Sequence, residues 1–354
     1  MNSNIKNIKE NDGVLTFEIN RCNVSIVNAL RRTILSKINT IVFDTTKEDT
    51  VTFFENSTYL NNEILKQRLG CIPIYLTDLD IELENYQLEV DEKNDGKDEI
   101  NITTEHFKIL NLKTNTYLSK DHLKKIFPPN PITGNYILFA KLSPEISKQI
   151  PGEKLKFTAK LSISNAEKDG MFNVASLVTY YNTPDPIEQD LHWKKNTTYT
   201  SKETWKQNNG QRFYKKKSFN FILESLGIYS NKEIMKKACQ IIINNLERVV
   251  SNEEDLNIRK SETTIANSFD ITIKNDNYTI GKIIEFILHS QYYEKVKLLT
   301  FVGYIKEHPH DLDSILRLAF NKEVTEDVVY PLLKEVCKMS IEIFNKILLK
   351  FGKS

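Results

Sequence analysis

Phe17-Glu18-Ile19-Asn20-Arg21-Cys22-Asn23-Val24-Ser25-Ile26-Val27-Asn28-Ala29-Leu30-Arg31-Arg32-Thr33-Ile34 carries the pattern that sets the fold. Phe17 and Ile19 alternate as on a half-buried strand, Asn20 to Asn23 are polar, and Ile26, Leu30 and Ile34 recur at helical spacing. Asn23 or Ser25 is placed to cap that helix by accepting one of its first free N–H groups. The chain then writes the same opening near its other end. Ile271 and Ile273 precede polar Lys274 to Asn277, and Ile280, Ile284 and Leu288 follow, every apolar member displaced by the same number of residues. Two copies of one strand–turn–helix opening predict two like folds that pack on each other, a dimer made covalent.

Working outward, the pattern from residue 41 to about 163 changes to short alternating strands at 51–54, 86–90, 136–142 and 155–163, separated by polar turns such as 91–99. Pro128, Pro129 and Pro131 end any helix between Asp121 and Phe127. After Val174 strand character returns through Leu177 and Tyr181, residues 182–217 read as a polar loop, and a strand follows over 218–223. Ala238, Ile241, Ile242, Leu246 and Val249 mark one face of a helix. The charged stretch 251–262 reads as a linker. Beyond it lie a strand at 269–273, a helix at 279–291, strands at 298–305 and 314–320, and a long helix from about 325 to 349. Val329, Leu332, Leu333, Val336, Ile343, Ile347 and Leu348 give that helix a broad apolar stripe that must be buried.

The expected organisation is thus α+β: a discontinuous first unit over 1–42 and 172–250, a mostly-β domain inserted at 43–171, a linker over 251–262 and a second unit over 263–354. Insertion into a surface connection is thermodynamically mild, because closure entropy grows only as about (3/2)RT ln n.

Composition bounds the function. At 354 residues, with 40% hydrophobic and 27% charged residues, this is an ordinary globular chain with room for two or three domains. A net charge of +1 provides no global field toward nucleic acid or anionic lipid. No apolar run spans a bilayer, and the polar start Met1 to Asn11 lacks a secretory segment, so the expected compartment is intracellular. Cys22, Cys71, Cys239 and Cys337 stand alone, which disfavours a local zinc knuckle. Cys71, Cys239 and Cys337 sit beside apolar neighbours and read as small buried hydrophobes. There is no glycine-rich phosphate loop and no Ser/His/Asp arrangement. His308-Pro309-His310 offers two possible ligands with no third nearby, so a structural role is expected rather than a metal site.

Asn28-Ala29-Leu30-Arg31-Arg32-Thr33-Ile34-Leu35 resembles the signature helix of the alpha-like subunits of multisubunit DNA-directed RNA polymerase. Asn56-Ser57-Thr58-Tyr59-Leu60-Asn61-Asn62-Glu63, running on to Gln67-Arg68-Leu69-Gly70-Cys71-Ile72-Pro73-Ile74, is similar to the segment that follows in the third-largest subunit, as are Phe172-Asn173-Val174 and the run Phe219 to Gly227. In the second half, Asn277-Tyr278-Thr279-Ile280-Gly281, Phe301-Val302-Gly303-Tyr304 and His308-Pro309 resemble the small eleventh-subunit partner. Cellular polymerases make these as two polypeptides; here they are joined, as in large cytoplasmic DNA viruses. Gln67 stands where the family usually has His, Asn62 where it often has Asp, and Lys282 matches Asn28. The cysteine-rich metal loop of some members is missing, so neither zinc nor an iron–sulfur cluster is expected, and no cofactor.

The resemblance implies two alpha-like dimerisation units, each a small sheet plus two helices, in one chain. Their seam would use Ile26, Leu30, Ile34, Ile280, Ile284, Leu288, Leu333, Val336 and Ile347, and would bury on the order of 2,000 Å² or more if it is like other obligate dimers. The joint surface would dock the second-largest and largest polymerase subunits, which carry the catalytic magnesium and nucleic-acid channel, and smaller subunits besides. Asn28, Arg31, Arg32, Glu63, Arg68 and Gly70 are the docking candidates, the arginines because a guanidinium makes forked hydrogen bonds and tolerates partial burial. Such a chain supplies assembly rather than chemistry, in a viral factory or virion if viral and otherwise in a nucleus. The rival reading is a free-standing nucleic-acid-binding module built on the basic aromatic patch Arg212, Phe213, Tyr214, Lys215, Lys216 and Lys217.

Overall fold

In the computed structural model, which describes residues 4–195, 198–251 and 256–352, the chain opens with β1 (Asn4–Asn11), β2 (Val14–Asn20) and α1 (Val24–Ser36). Next come β3 (Thr40–Val42), β4 (Val51–Asn56), α2 (Asn62–Gly70), β5 (Tyr86–Lys93), β6 (Ile100–Thr103), β7 (Lys108–Asn111) and β8 (Thr116–Tyr117). They are followed by α3 (Lys120–Ile126), β9 (Leu138–Leu142), β10 (Lys154–Lys160) and β11 (Ser162–Ser164). Then β12 (Ala175–Pro184), α4 (Pro186–Trp193), α5 (Lys202–Asn208), β13 (Tyr214–Ser225) and α6 (Asn231–Val249) appear. The last stretch holds β14 (Asn257–Lys260), β15 (Ser268–Ile273), α7 (Tyr278–Leu288), β16 (Leu299–Ile305), β17 (Ser314–Phe320) and α8 (Val329–Gly352).

The chain divides into two compact units, one built on Met1–Lys37, Ala175–Ser225 and Ser230–Ser354, the other on Ile38–Val174 and Leu226–Tyr229. The first holds two four-stranded antiparallel sheets, ordered β1-β2-β13-β12 and β14-β15-β17-β16. Each sheet pairs an edge strand with the strand that feeds a helix (α1 or α7), and each central return strand (β13 or β17) feeds a second helix (α6 or α8). The likeness extends to the backbone. Arg21 and Asn275, which occupy matching positions at the strand ends, both adopt left-handed φ, at 56° and 52°. Asn23 and Asn277 then cap α1 and α7 in the same way, each side-chain oxygen accepting a hydrogen bond at 2.8 Å from the backbone N–H two residues on. Helix α1 packs on α6 and α7, and α8 packs on α6 and α7. Phe351 near the end of α8 meets the edge of Phe17 in β2, 5.1 Å between centroids, and Phe17 stacks on Phe221 of β13 at the same separation.

The copies also differ where packing demands it. Gly281 in α7 lies under the Tyr304 ring of β16, and a Cβ there would sit 1.9 Å from a ring carbon. Tyr304 uses that access to donate its hydroxyl to Asp276 Oδ2 at 3.0 Å and to the Asn277 carbonyl at 3.1 Å.

The second unit centres on a five-stranded antiparallel sheet ordered β4-β10-β5-β7-β8, with two-stranded ribbons β3/β11 and β6/β9. Phe43, Phe53, Phe107, Phe127, Phe139 and Phe157 form a connected set of ring contacts in its core, with Leu65 and Leu69 of α2 buried against it.

Four expectations require correction. Residues 182–217, read as loop, contain α4 and α5, and β13 begins at Tyr214 rather than 218. Trp193 and Trp205, whose rings lie 5.8 Å apart, supply the apolar contact that a run of scattered polar residues conceals. The linker over 251–262 includes β14, which pairs with β15; its residues 252–255 lie outside the described residues. The expected boundaries at 42 and 172 fall inside the compact unit that holds Ile38–Val174, where β3 pairs with β11. Cys71 is exposed, unlike buried Cys22, Cys239 and Cys337. It caps the C-terminus of α2, where the next residue's apolar environment does not carry over.

Candidate functional site

The docking candidates fall on two elements, one in each unit. On α1, buried Ile26, Val27, Ala29, Leu30, Thr33 and Ile34 face inward, and Asn28, Arg31 and Arg32 occupy the remaining arc. Arg31 donates through Nε to Asn28 Oδ1 at 3.0 Å, so its guanidinium is aimed by its own helix. Arg32, one position on and about 100° round the helix, is exposed. At the matching positions of α7, Lys282 and Glu285 form an ion pair at 2.5 Å. The same three-residue contact is thus kept with different chemistry. The nine seam candidates Ile26, Leu30, Ile34, Ile280, Ile284, Leu288, Leu333, Val336 and Ile347 are all buried, on helices α1, α7 and α8.

On α2, Glu63 is exposed, whereas Arg68 and Gly70 are engaged within the unit. Arg68 donates to the carbonyls of Phe139 at 2.7 Å and Leu138 at 2.8 Å, tying α2 to β9. Gly70 is buried, and a Cβ there would meet the Met171 sulfur at 2.7 Å. Gly70 thus shapes the α2 segment from inside, while Arg68 stays exposed as it braces α2 against β9. Sequence reading missed the exposed apolar side chains on β4, α2 and the connection between them: Phe54 is 61% exposed, Tyr59 73% and Ile64 42%. The signal was present for Phe54, since alternation along β4 sends Phe53 into the core and its neighbour out.

The basic aromatic patch is only partly a surface. Phe213 stacks on His192 at 4.0 Å and on Trp205 at 6.0 Å, inside the cluster made by α4 and α5. Arg212, Tyr214, Lys215, Lys216 and Lys217 remain exposed. His308 and His310 belong to a turn in which the His310 N–H donates to His308 Nδ1 at 3.2 Å. Among the described residues, no three His, Cys, Asp or Glu side chains are grouped to hold a metal ion, and no helix is long and apolar enough to cross a membrane.

Residues 16–246 match the RNA polymerase Rpb3/Rpb11 dimerisation domain. The chain belongs to that family. It is 27% identical over 282 residues to the DNA-directed RNA polymerase subunit Rpo3 of Pyrococcus horikoshii, an alignment covering 71% of this chain and 98% of the relative. The Rpo3 subunit of Pyrococcus furiosus is 24% identical over 277 residues, 70% of this chain and 96% of the relative. Nearly all of each archaeal chain is therefore matched, while this Rpb3/Rpb11-family chain carries sequence beyond it. The family match ends within α6, so the second sheet with α7 and α8 lies outside it.

Proposed function

We propose that this chain is a non-catalytic assembly subunit of a DNA-directed RNA polymerase, and that it is two alpha-like units fused into an intramolecular dimer. One unit would comprise β1, β2, β12, β13, α1 and α6, interrupted by residues 38–174; the other would comprise β14 to β17, α7 and α8. The observation that carries this reading is the repetition of one strand order and one helix placement in two sheets whose helices pack together. Family membership supports the polymerase role, and the archaeal relatives, named as polymerase subunits, account for the matched part. Joining the units holds each at an effective concentration of about a millimolar to the other, so pairing needs no search.

The paired units would dock the second-largest and largest polymerase subunits. Arg32 on α1 and Glu63 on α2 are the side chains left outward for that contact, with Phe54, Tyr59 and Ile64 as apolar anchors; Arg31 would reach the partner in the orientation Asn28 gives it. Co-purification of the tagged chain with the second-largest subunit tests this. Charge reversal by Arg32→Glu is expected to weaken capture by at least tenfold, about 1.4 kcal/mol, with thermal stability unchanged. Capture equal to wild type would remove α1 from the docking surface, and failure of the folded wild-type chain to bind would remove the polymerase role.

A further inference from the structure

One exposed feature is not used by assembly. Between the C-terminal end of β12 and the α4–α5 excursion lies an open groove of about 860 Å³. Tyr180, Tyr181, Tyr214 and Phe219 line its strand side, and Gln189, Lys206, Gln207 and Gln211 its helical side. Tyr181 is 52% exposed and Tyr214 42% exposed, so both rings offer free faces. Among the described residues, no carboxylate lines the groove. Of the acidic groups nearest in sequence, Asp185 caps α4, Asp190 pairs with Lys202 at 2.8 Å and also feels the charge of Lys206, Glu188 lies 3.9 Å from His192, and Glu203 is exposed one turn before Lys206 on α5. Arg212, Lys215, Lys216 and Lys217 flank Tyr214 in sequence and are exposed.

We propose that this groove binds single-stranded nucleic acid, with Tyr181 and Tyr214 stacking on bases and Lys206, Lys216 and Arg212 contacting phosphates. Exposed aromatic rings in a groove whose described lining is cationic or neutral, beside a run of exposed cations, are what sequence-tolerant strand binding requires. An acidic protein segment would use the cations but has no need of the tyrosine faces, which is why the nucleic acid is favoured.

Fluorescence anisotropy of the full chain with a labelled oligothymidylate of about twelve nucleotides, from about 50 to 200 mM salt, is the test. Wild type should bind with affinity that falls as salt rises. Tyr181→Ala/Tyr214→Ala should weaken binding about tenfold or more at constant salt, and Lys206→Gln/Lys216→Gln should flatten the salt slope by about 1.4. These side chains are at the surface, and thermal melting confirms that the variants fold. Absence of binding at the lowest salt overturns the proposal, as does binding that the tyrosine pair leaves unchanged. Equal competition by polyglutamate, indifferent to the tyrosines, assigns the groove to an acidic polypeptide instead.

Discussion

Three buried carboxylates show how environment sets the behaviour of one chemical group. Asp270 is held below the ordinary carboxylate value chiefly by the Arg317 guanidinium, which grips it at 2.6 and 2.8 Å from the facing strand. Asp44, with a side chain 1% exposed, would be pushed up by burial, but hydrogen bonds from Lys168 and Thr46 and the charge of Lys168 more than offset that and hold it low. Asp276 goes the other way: burial raises it, and the hydrogen bonds from its neighbours, including the Tyr304 hydroxyl, do not compensate. A raised folded-state value means that its stabilising contribution is complete at low pH and is lost as pH climbs through that value. Asp276→Asn cannot ionise. Urea midpoints across pH should therefore show the variant gaining on wild type from about pH 4 upward, then holding a constant lead. A difference that is the same at every pH would show that Asp276 does not titrate in this way.

At the scale of elements, the two strand–helix openings share caps and left-handed turn residues, yet they solve sheet packing differently. Val27 of α1 and Gly281 of α7 hold matching positions, and Gly281 lies against a tyrosine ring from the next strand. Alanine is intrinsically the better helix former by about 1 kcal/mol. In Gly281→Ala, however, the new methyl must displace Tyr304 from Asp276 and Asn277. The expected net result is a loss of about 1–3 kcal/mol, read as a lower denaturation midpoint, with loss of the Tyr304 hydrogen bonds visible in tyrosine ultraviolet spectra. A more stable variant would mean that the ring moves aside without cost.

At the scale of the whole molecule, the proposed dimer within one chain would behave unlike one made from two. Its unfolding midpoint should not change with protein concentration, because folding is unimolecular. Separately produced fragments 1–251 and 256–354 would each leave apolar helix faces uncovered, including Leu333, Val336 and Ile347 of α8. They should be recovered soluble when co-expressed and poorly when alone. Two independently soluble, non-associating fragments would refute the intramolecular dimer.

Much of this architecture was legible in the chain because it is local. The alternation of Phe17 with Ile19 and the spacing of Ile26, Leu30 and Ile34 require only a backbone period, and Asn23 acts on an N–H two residues away. The repeat at Ile271 to Leu288 needed only a comparison of the sequence with itself. Tertiary structure decided what depends on partners distant in sequence. It tied the exposed Arg68 to the carbonyls of Leu138 and Phe139, about seventy residues away. It organised the polar stretch 182–217 around Trp193 and Trp205, and half-buried Phe213 by stacking it there. It left Arg32 and Glu63 facing outward. A side chain's period follows from its own strand or helix, whereas its exposure follows from what the rest of the chain places against it.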